Sequence, residues 1–148
     1  MSSTAYVEAQ MLIRKPVQDV FQAFIDPVVT TNFWFTKSSG KLEEGKVITW
    51  EWEMYDVKNQ VRVDQIIFNQ LIRTVWGDFS IHVDYEFKEM EKGTLVIIKS
   101  FGFTQTGEEL VRIVNDNTGG FTTVLDGCKA YLEHGIKLNL IEDKFPQK

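Results

Sequence analysis

Ile81, Val83, Tyr85 and Phe87 alternate with His82, Asp84, Glu86 and Lys88. Only an extended strand sorts such a period-two pattern into one dry face and one wet face. The same period recurs from about residue 36 to 103, in "KVITWEWEMY", "QVRVDQIIF", "IRTVWGD", "FSIHVDYEFKEM" and "TLVIIKSFGF". Turn candidates "LEEGK", "DVKNQ", "FNQLI" and "EMEKG" separate these runs, and no helical stretch intervenes. Strands this close in sequence form an antiparallel meander, here with one face needing cover.

The flanks supply that cover. Residues 5–14 read as an opening strand, interrupted at Lys15-Pro16. Pro16 suits the first turn of a helix, and Val17, Val20, Phe21 and Phe24 then recur at helical spacing. Asp26-Pro27 stops that helix, and a short second helix or turn follows through residues 28–35. After "TGEE" the period returns to about 3.6. "EELVRIVND" reads as a short helix of its own. "GGFTTVLDGCKAYLEHGIKL" reads as the strongest helix, with Phe121, Val124, Leu125, Cys128, Tyr131 and Leu132 on one stripe. Thr122, Thr123, Asp126, Lys129 and Glu133 lie opposite. At roughly 15–20 residues this helix crosses about 25 Å. Laid across the dry face of the sheet, it makes an α+β fold, expected as one domain over residues 1–148.

A chain of 148 residues can bury a substantial core without disulfides or metals. The 16 basic and 21 acidic residues give a net charge of −5, with no basic cluster to meet a phosphate backbone, so nucleic acid is excluded as a partner. "MSSTAYVEAQ" lacks the basic and apolar regions of a secretory signal, and no apolar run approaches the ~18 residues of a membrane span. A lone Cys128 forms no internal disulfide, and a cytoplasmic location is expected. Aromatics reach 13%, with 11 Phe and 4 Trp, which suggests a bulky interior or a cavity walled with rings.

Parity assigns the inward residues. Trp50, Trp52 and Met54 share one face, as do Val61, Val63, Gln65 and Ile67, because Arg62 and Asp64 need water. Ile81, Val83, Tyr85 and Phe87 match them, and Phe121, Leu125 and Cys128 of the long helix close the lid. Either these side chains pack solidly, or they wall a pocket in which Gln65, Tyr85 and the indole N–H groups orient a guest. In the run Phe33-Trp34-Phe35 all three rings cannot face inward. One of them lies at a pocket rim or partner surface, or all form a local minicore.

Three stretches carry a family resemblance: "MLIRKPVQDVFQAFIDPVVTTNFW", "VRVDQIIFNQLIRTVWGD", which ends a hydrophobic strand and leads through Arg73 to Trp76, and "GGFTTVLDGCKAYLEHG". Their order and spacing resemble the helix-grip (START-like, SRPBCC) superfamily, and within it bacterial proteins similar to the C-terminal domain of the Hsp90 ATPase activator. Phe121 stands where that family usually has Trp, and "TQTGEELVRIVNDNTGG" is this chain's own variation. The resemblance implies a curved antiparallel sheet around a long C-terminal helix. It further implies an apolar hollow for a lipid, sterol-like or polyketide-like molecule. Trp34, Trp50, Trp52, Val63, Gln65, Trp76, Val83, Tyr85, Phe121, Leu125 and Cys128 are the candidate ligand-binding residues. A chaperone partner is the alternative it implies, and a cyclase or hydrolase acting on an apolar substrate a third reading.

No catalytic residues are assigned. His82 sits on the polar parity, and His134 near a helix end is suited to the last carbonyls. No histidine–cysteine spacing suggests a metal, and no phosphate or dinucleotide loop suggests a cofactor, so neither is expected. The carboxylates of "WEWE" alternate outward with no inward partner for acid–base work.

Overall fold

The computed structural model describes residues 5–146. It begins with strand β1 (Tyr6–Ile13), helix α1 (Val17–Ile25) and a single-turn helix α2 (Pro27–Thr30). A two-residue strand β2 (Lys37–Ser38) then leads into β3 (Val47–Trp52), β4 (Val57–Ile67), β5 (Leu71–Trp76), β6 (Ile81–Met90) and β7 (Gly93–Phe101). Helix α3 (Gly107–His134) and a short α4 (Leu140–Lys144) complete the order. The seven strands form one antiparallel sheet in the order β1-β7-β6-β5-β4-β3-β2. This is the helix-grip architecture: the sheet curves around α3, whose Phe121, Val124, Leu125 and Cys128 are buried.

Each element follows from local chemistry. Pro16 is the residue before α1, and its fixed φ and missing N–H suit that position. Val17, Val20, Phe21, Ala23 and Phe24 bury one face of α1. The side chain of Asp26 then accepts a hydrogen bond from the Val28 N–H at 3.0 Å, capping α2, whose first residue is Pro27. On the inner face of the sheet, Val63, Thr74, Val83, Ser100 and Val7 lie opposite one another across five strands, and all are buried.

Three expectations need correction. Gln65 and Ile67 do not share the face of Val61 and Val63, because the β4–β5 register shifts between Val63 and Gln65. A bulge of one residue reverses parity beyond it. Ile66 therefore packs against the core, while Gln65 lies on the outer face, its Oε1 3.4 Å from the Arg73 guanidinium. The strand carrying Trp50 and Trp52 stops at Trp52. Glu53–Tyr55 form a 3-10 turn closed by Asp56 in the left-handed region, so Met54 does not continue the strand and "DVKNQ" is mostly β4 rather than a turn. Finally, the two C-terminal helices are one helix of 28 residues. Thr118, Thr122 and Thr123 hydroxyls donate to the carbonyls four residues earlier at 2.7–2.8 Å, so their polar groups are satisfied within the helix that runs through Gly119 and Gly120.

Helix α3 also closes the free edge of β1. The Lys129 ammonium donates to Leu12 O at 2.8 Å, and the Arg14 N–H donates to Glu133 Oε2 at 2.8 Å. Lys129 and Glu133 pair with each other at 2.6 Å. Two backbone groups at the C-terminal end of that edge are thereby satisfied from within the molecule. Burial opposes ionisation of Glu133, but the Arg14 N–H and the Lys129 ammonium outweigh it and lower its pKa. A depressed carboxylate contributes stability that is present above about pH 4.5 and lost as pH falls through the folded value. Glu133→Gln is expected to lose about 1 kcal/mol at pH 7. In urea unfolding, the gap from wild type should narrow progressively as pH falls below about 4.5; a gap independent of pH would show that the charge of Glu133 is not what matters.

Candidate functional site

The space between sheet and α3 is floored by β3, β5 and β6 and filled largely with rings. Trp34 stands at its centre, although it belongs to neither layer but to the loop between α2 and β2. Its ring centroid lies 5.0 Å from Trp50, 5.8 Å from Trp76, 5.9 Å from Phe35, 6.2 Å from Tyr85 and 6.3 Å from Phe121. Trp50 in turn stacks on Phe35 at 4.4 Å and meets Trp76 edge-on at 5.6 Å. Such tilted and edge-on geometries are the favoured ones for aromatic pairs. The expectation that Phe33, Trp34 and Phe35 cannot all be inside is overturned: all three are buried, because Phe33 packs on Phe24 of α1 while Phe35 stacks on Trp50 of β3, which gives the loop cover on both sides of Trp34.

Packing is solid at one end of this space and open at the other. Where the N-terminal half of α3 overhangs β5, β6 and β7, a cavity of about 290 Å³ remains. Trp76, Ile81, Phe103, Ile113 and Phe121 make its apolar wall, and Asn59, Ser100, Gln105 and Asn117 bring polar groups to it. Asp78, on the exposed rim, is the ionisable group in this lining. A second space of about 150 Å³ shares Trp76, Asn117 and Phe121 and adds Trp34, Gly120, Val124 and Ile141. Ile141 comes from α4, which covers this side. The Tyr55 hydroxyl lies 2.8 Å from Ile141 O and 2.9 Å from Phe145 O and so pins α4.

The expected site residues fall into four groups. Trp76 and Phe121 line the larger cavity, and Trp34 joins them around the smaller one. Trp50, Val63, Val83, Tyr85, Leu125 and Cys128 are buried in close packing. Trp52 is half-buried and faces a shallow apolar groove with Tyr55, Val57, Ile141 and Phe145. Gln65 is on the opposite face of the sheet. Sequence reasoning missed Asn59, Ser100, Phe103, Gln105, Ile113 and Asn117. Asn59 shares its parity with Val61, a usable signal that was hidden by reading "DVKNQ" as a turn. Asn117 was hidden by dividing α3 in two.

Two buried ionisable groups carry no charge at neutral pH. Burial pushes the Cys128 thiol far above its ordinary value, leaving it an inert packing group. Burial likewise raises the Tyr85 hydroxyl well above its usual range, an effect that the adjacent Thr74 only reduces. Thr74 is near, yet no hydrogen bond of acceptable geometry reaches the Tyr85 oxygen. The Thr74 hydroxyl already donates to Val83 O at 2.7 Å and accepts from Trp76 Nε1 at 3.0 Å. On the outer face, His82 stacks flat on Phe101 at 4.9 Å. Among the described residues, no three His, Cys, Asp or Glu side chains are grouped to hold a metal. Nor is any described helix long and apolar enough to cross a membrane.

Comparison with known proteins agrees with this architecture. A crystal structure of protein SSP2350 from Staphylococcus saprophyticus is 31% identical, with 90% of this chain and 96% of that one covered and a TM-score of 0.80. The Aha1 dimer from Colwellia psychrerythraea shares the fold at 15% identity, over 89% of this chain and 98% of that one, with a TM-score of 0.76. DynU16, from the dynemicin biosynthetic locus, shares it at 17% identity and a TM-score of 0.79, over 91% of this chain and 49% of DynU16. No curated protein matches the chain. Residues 14–133, from the end of β1 through nearly all of α3, match the family described as activator of Hsp90 ATPase homolog 1-like protein, and the chain belongs to that family.

Proposed function

We propose that this protein is a carrier or sensor of a small apolar molecule held between the sheet and α3. The observation that carries the reading is the cavity of about 290 Å³, walled by Trp76, Phe103, Ile113 and Phe121 with amide groups at its margin. Ligand sites are typically apolar concavities of this scale with a few polar groups that orient the guest. A lining whose ionisable group is one exposed aspartate gives no fixed positive charge to hold a carboxylate, so the guest in this reading is neutral. The same lining offers no acid–base pair, which leaves a cyclase or hydrolase reading without a catalyst. The unpaired, buried Cys128 fits a reducing compartment, and a cytoplasmic location goes with this reading.

The test uses N-phenyl-1-naphthylamine, a neutral fluorescent probe. It is expected to bind with a Kd on the order of 10 μM, equivalent to about −7 kcal/mol, and to raise the melting temperature. Ile113→Trp, which fills the cavity, should weaken that binding at least ~10-fold without lowering the melting temperature. Native mass spectrometry of freshly purified protein should show a copurified small molecule. A bare chain together with no probe-induced shift in melting would sink the proposal.

A second reading, an interaction module for an Hsp90-type chaperone, is favoured by the family description. The outer face of the sheet suits it, with the pairs Arg73–Asp84 at 3.6 Å and Lys99–Glu86 at 3.1 Å beside the His82–Phe101 stack. Rim charges of this kind steer encounter and fix orientation. Failure to capture the chaperone at physiological salt would rule against it.

A further inference from the structure

Trp34 comes from the same loop as Phe35 and stands at the centre of the ring cluster between sheet and α3, beside the 150 Å³ space. We propose that Trp34 is a built-in occupant of the ligand chamber. The natural guest is then a flat, neutral, ring-bearing molecule that displaces Trp34 and brings one hydrogen-bonding atom to the Tyr85 hydroxyl. This deepens the apolar-ligand reading and rests on it.

Three independent features converge on Trp34. It is held among five rings at centroid distances of 5.0 to 6.3 Å, so the slot it fills has the width and chemistry of an aromatic plate. It is also bordered by free space on two sides: the 150 Å³ space shared with Trp76 and Phe121, and a smaller one of about 70 Å³ shared with Phe33, Gly127 and Leu140. A side chain bordered by voids meets less resistance to a change of rotamer than one packed on every side. The third feature is the buried Tyr85 hydroxyl, which sits on a ring whose centroid is 6.2 Å from that of Trp34 and which no hydrogen bond of acceptable geometry reaches. Buried polar groups are almost always satisfied, and an orphan in a native interior calls for an explanation. The nearby Thr74 hydroxyl, engaged by Val83 O and Trp76 Nε1, gives it no bond of acceptable geometry; a guest with an N–H or carbonyl within reach would.

The route outward is built from the same parts. The loop backbone is held at both ends, by the Trp34 N–H to Thr30 O at 3.0 Å and the Thr36 N–H to Glu51 O at 2.8 Å, so the side chain can turn while the loop stays. Ile141 of α4 closes the far side of the 150 Å³ space, and the Tyr55 hydroxyl, bonded to Ile141 O and Phe145 O, is what holds α4 there.

The chain has four tryptophans, so protein labelled with 5-fluorotryptophan gives four fluorine resonances, and Trp34→Phe assigns the one in question. On adding N-phenyl-1-naphthylamine to wild type, the Trp34 resonance should move to a solvent-exposed position while that of Trp50 stays. Trp34→Ala should bind the probe roughly 10- to 100-fold more tightly, because the closed state no longer competes. Tyr85→Phe should weaken binding roughly 3- to 10-fold with the melting temperature near wild type. Probe binding that shifts Trp76 and leaves Trp34 in place would overturn the displacement while leaving the apolar-ligand reading standing. Absence of binding in wild type but its appearance in Trp34→Ala overturns the displacement, because truncating a buried tryptophan opens a cavity by itself. Absence in both overturns the two together. The fluorine measurement on wild type does not depend on whether the alanine variant folds.

Discussion

Gly93→Ala is expected to be among the most damaging single substitutions in this protein, costing about 4 kcal/mol or more. Gly93 begins β7 at φ +154°, where the β6–β7 hairpin passes the end of β1. A Cβ there would lie 2.2 Å from Ile13 O and 2.8 Å from Arg14 Cα. Both are backbone atoms, so no rotamer change relieves the clash. The hairpin and β1 would have to separate by about an ångström, at the point where Ile13 pairs with Thr94 and Thr94 Oγ1 donates to Lys15 O. The conformation is also one that side chains rarely adopt, which adds its own strain. Against a total stability of about 5–15 kcal/mol, the loss leaves little folded protein at 37 °C. Soluble yield and the urea midpoint check this; a variant within about 1 kcal/mol of wild type would mean that the β1–β7 junction yields where the close approach says it cannot.

The second large effect is expected from Trp50→Ala, at about 3–5 kcal/mol. Trp50 is 2% exposed, stacked on Phe35 and in edge contact with Trp76. Truncation removes a stacked pair and leaves a cavity that the strand backbone cannot close. For a chain of this size the melting temperature should fall by roughly 6–20 °C. Trp50→Phe should retain more than half of the lost stability. The result also decides a question raised by the alternation in "TWEWE". If Trp50 bordered an open chamber, its truncation would merely enlarge that chamber, and a loss under about 1 kcal/mol would follow.

Much of the fold is legible in the residues because local and tertiary preferences agree there. The stripe Val17, Val20, Phe21, Phe24 is a helix whichever scale is applied, and the structure buries all four. The alternation of β6 survives intact for the same reason: Val83, Tyr85 and Phe87 are buried while Asp84 and Glu86 reach the outer face. Legibility fails where one extra residue or one tertiary contact changes the rule. Nothing in "VRVDQIIF" distinguishes a straight strand from a bulged one, since either parity buries an aliphatic side chain, and the choice that put Gln65 inside was the wrong one. Gly119-Gly120 reads as a helix end because glycine disfavours helices by ~1 kcal/mol per residue. Packing of Phe121, Val124 and Ile113 against the sheet and its loops carries α3 through it. α4 lay outside any expectation, since five residues give too short a pattern to read.

The candidate site was legible in kind more than in detail. Ring content and parity pointed to an aromatic interior, and Trp76 and Phe121 do meet at the cavity. That Trp50 and Tyr85 are sealed while Asn59, Gln105 and Asn117 reach the opening depends on the curvature of the sheet and the overhang of α3. Neither is a property of any one stretch.

The edge of β1 has a consequence for synthesis. Tyr6 pairs with Phe101, and the groups that close the strand's other side, Lys129 and Glu133, come later still. At ribosomal rates of about 5–20 residues per second, β1 waits roughly 5–20 s for its partner strand and longer for its cap. The meander can assemble from neighbours as it emerges, but its first strand stays unpaired until β7 has been made. Pairing of β1 is thus the last step in closing the sheet, and the strand is unprotected while β2 to β6 are synthesised.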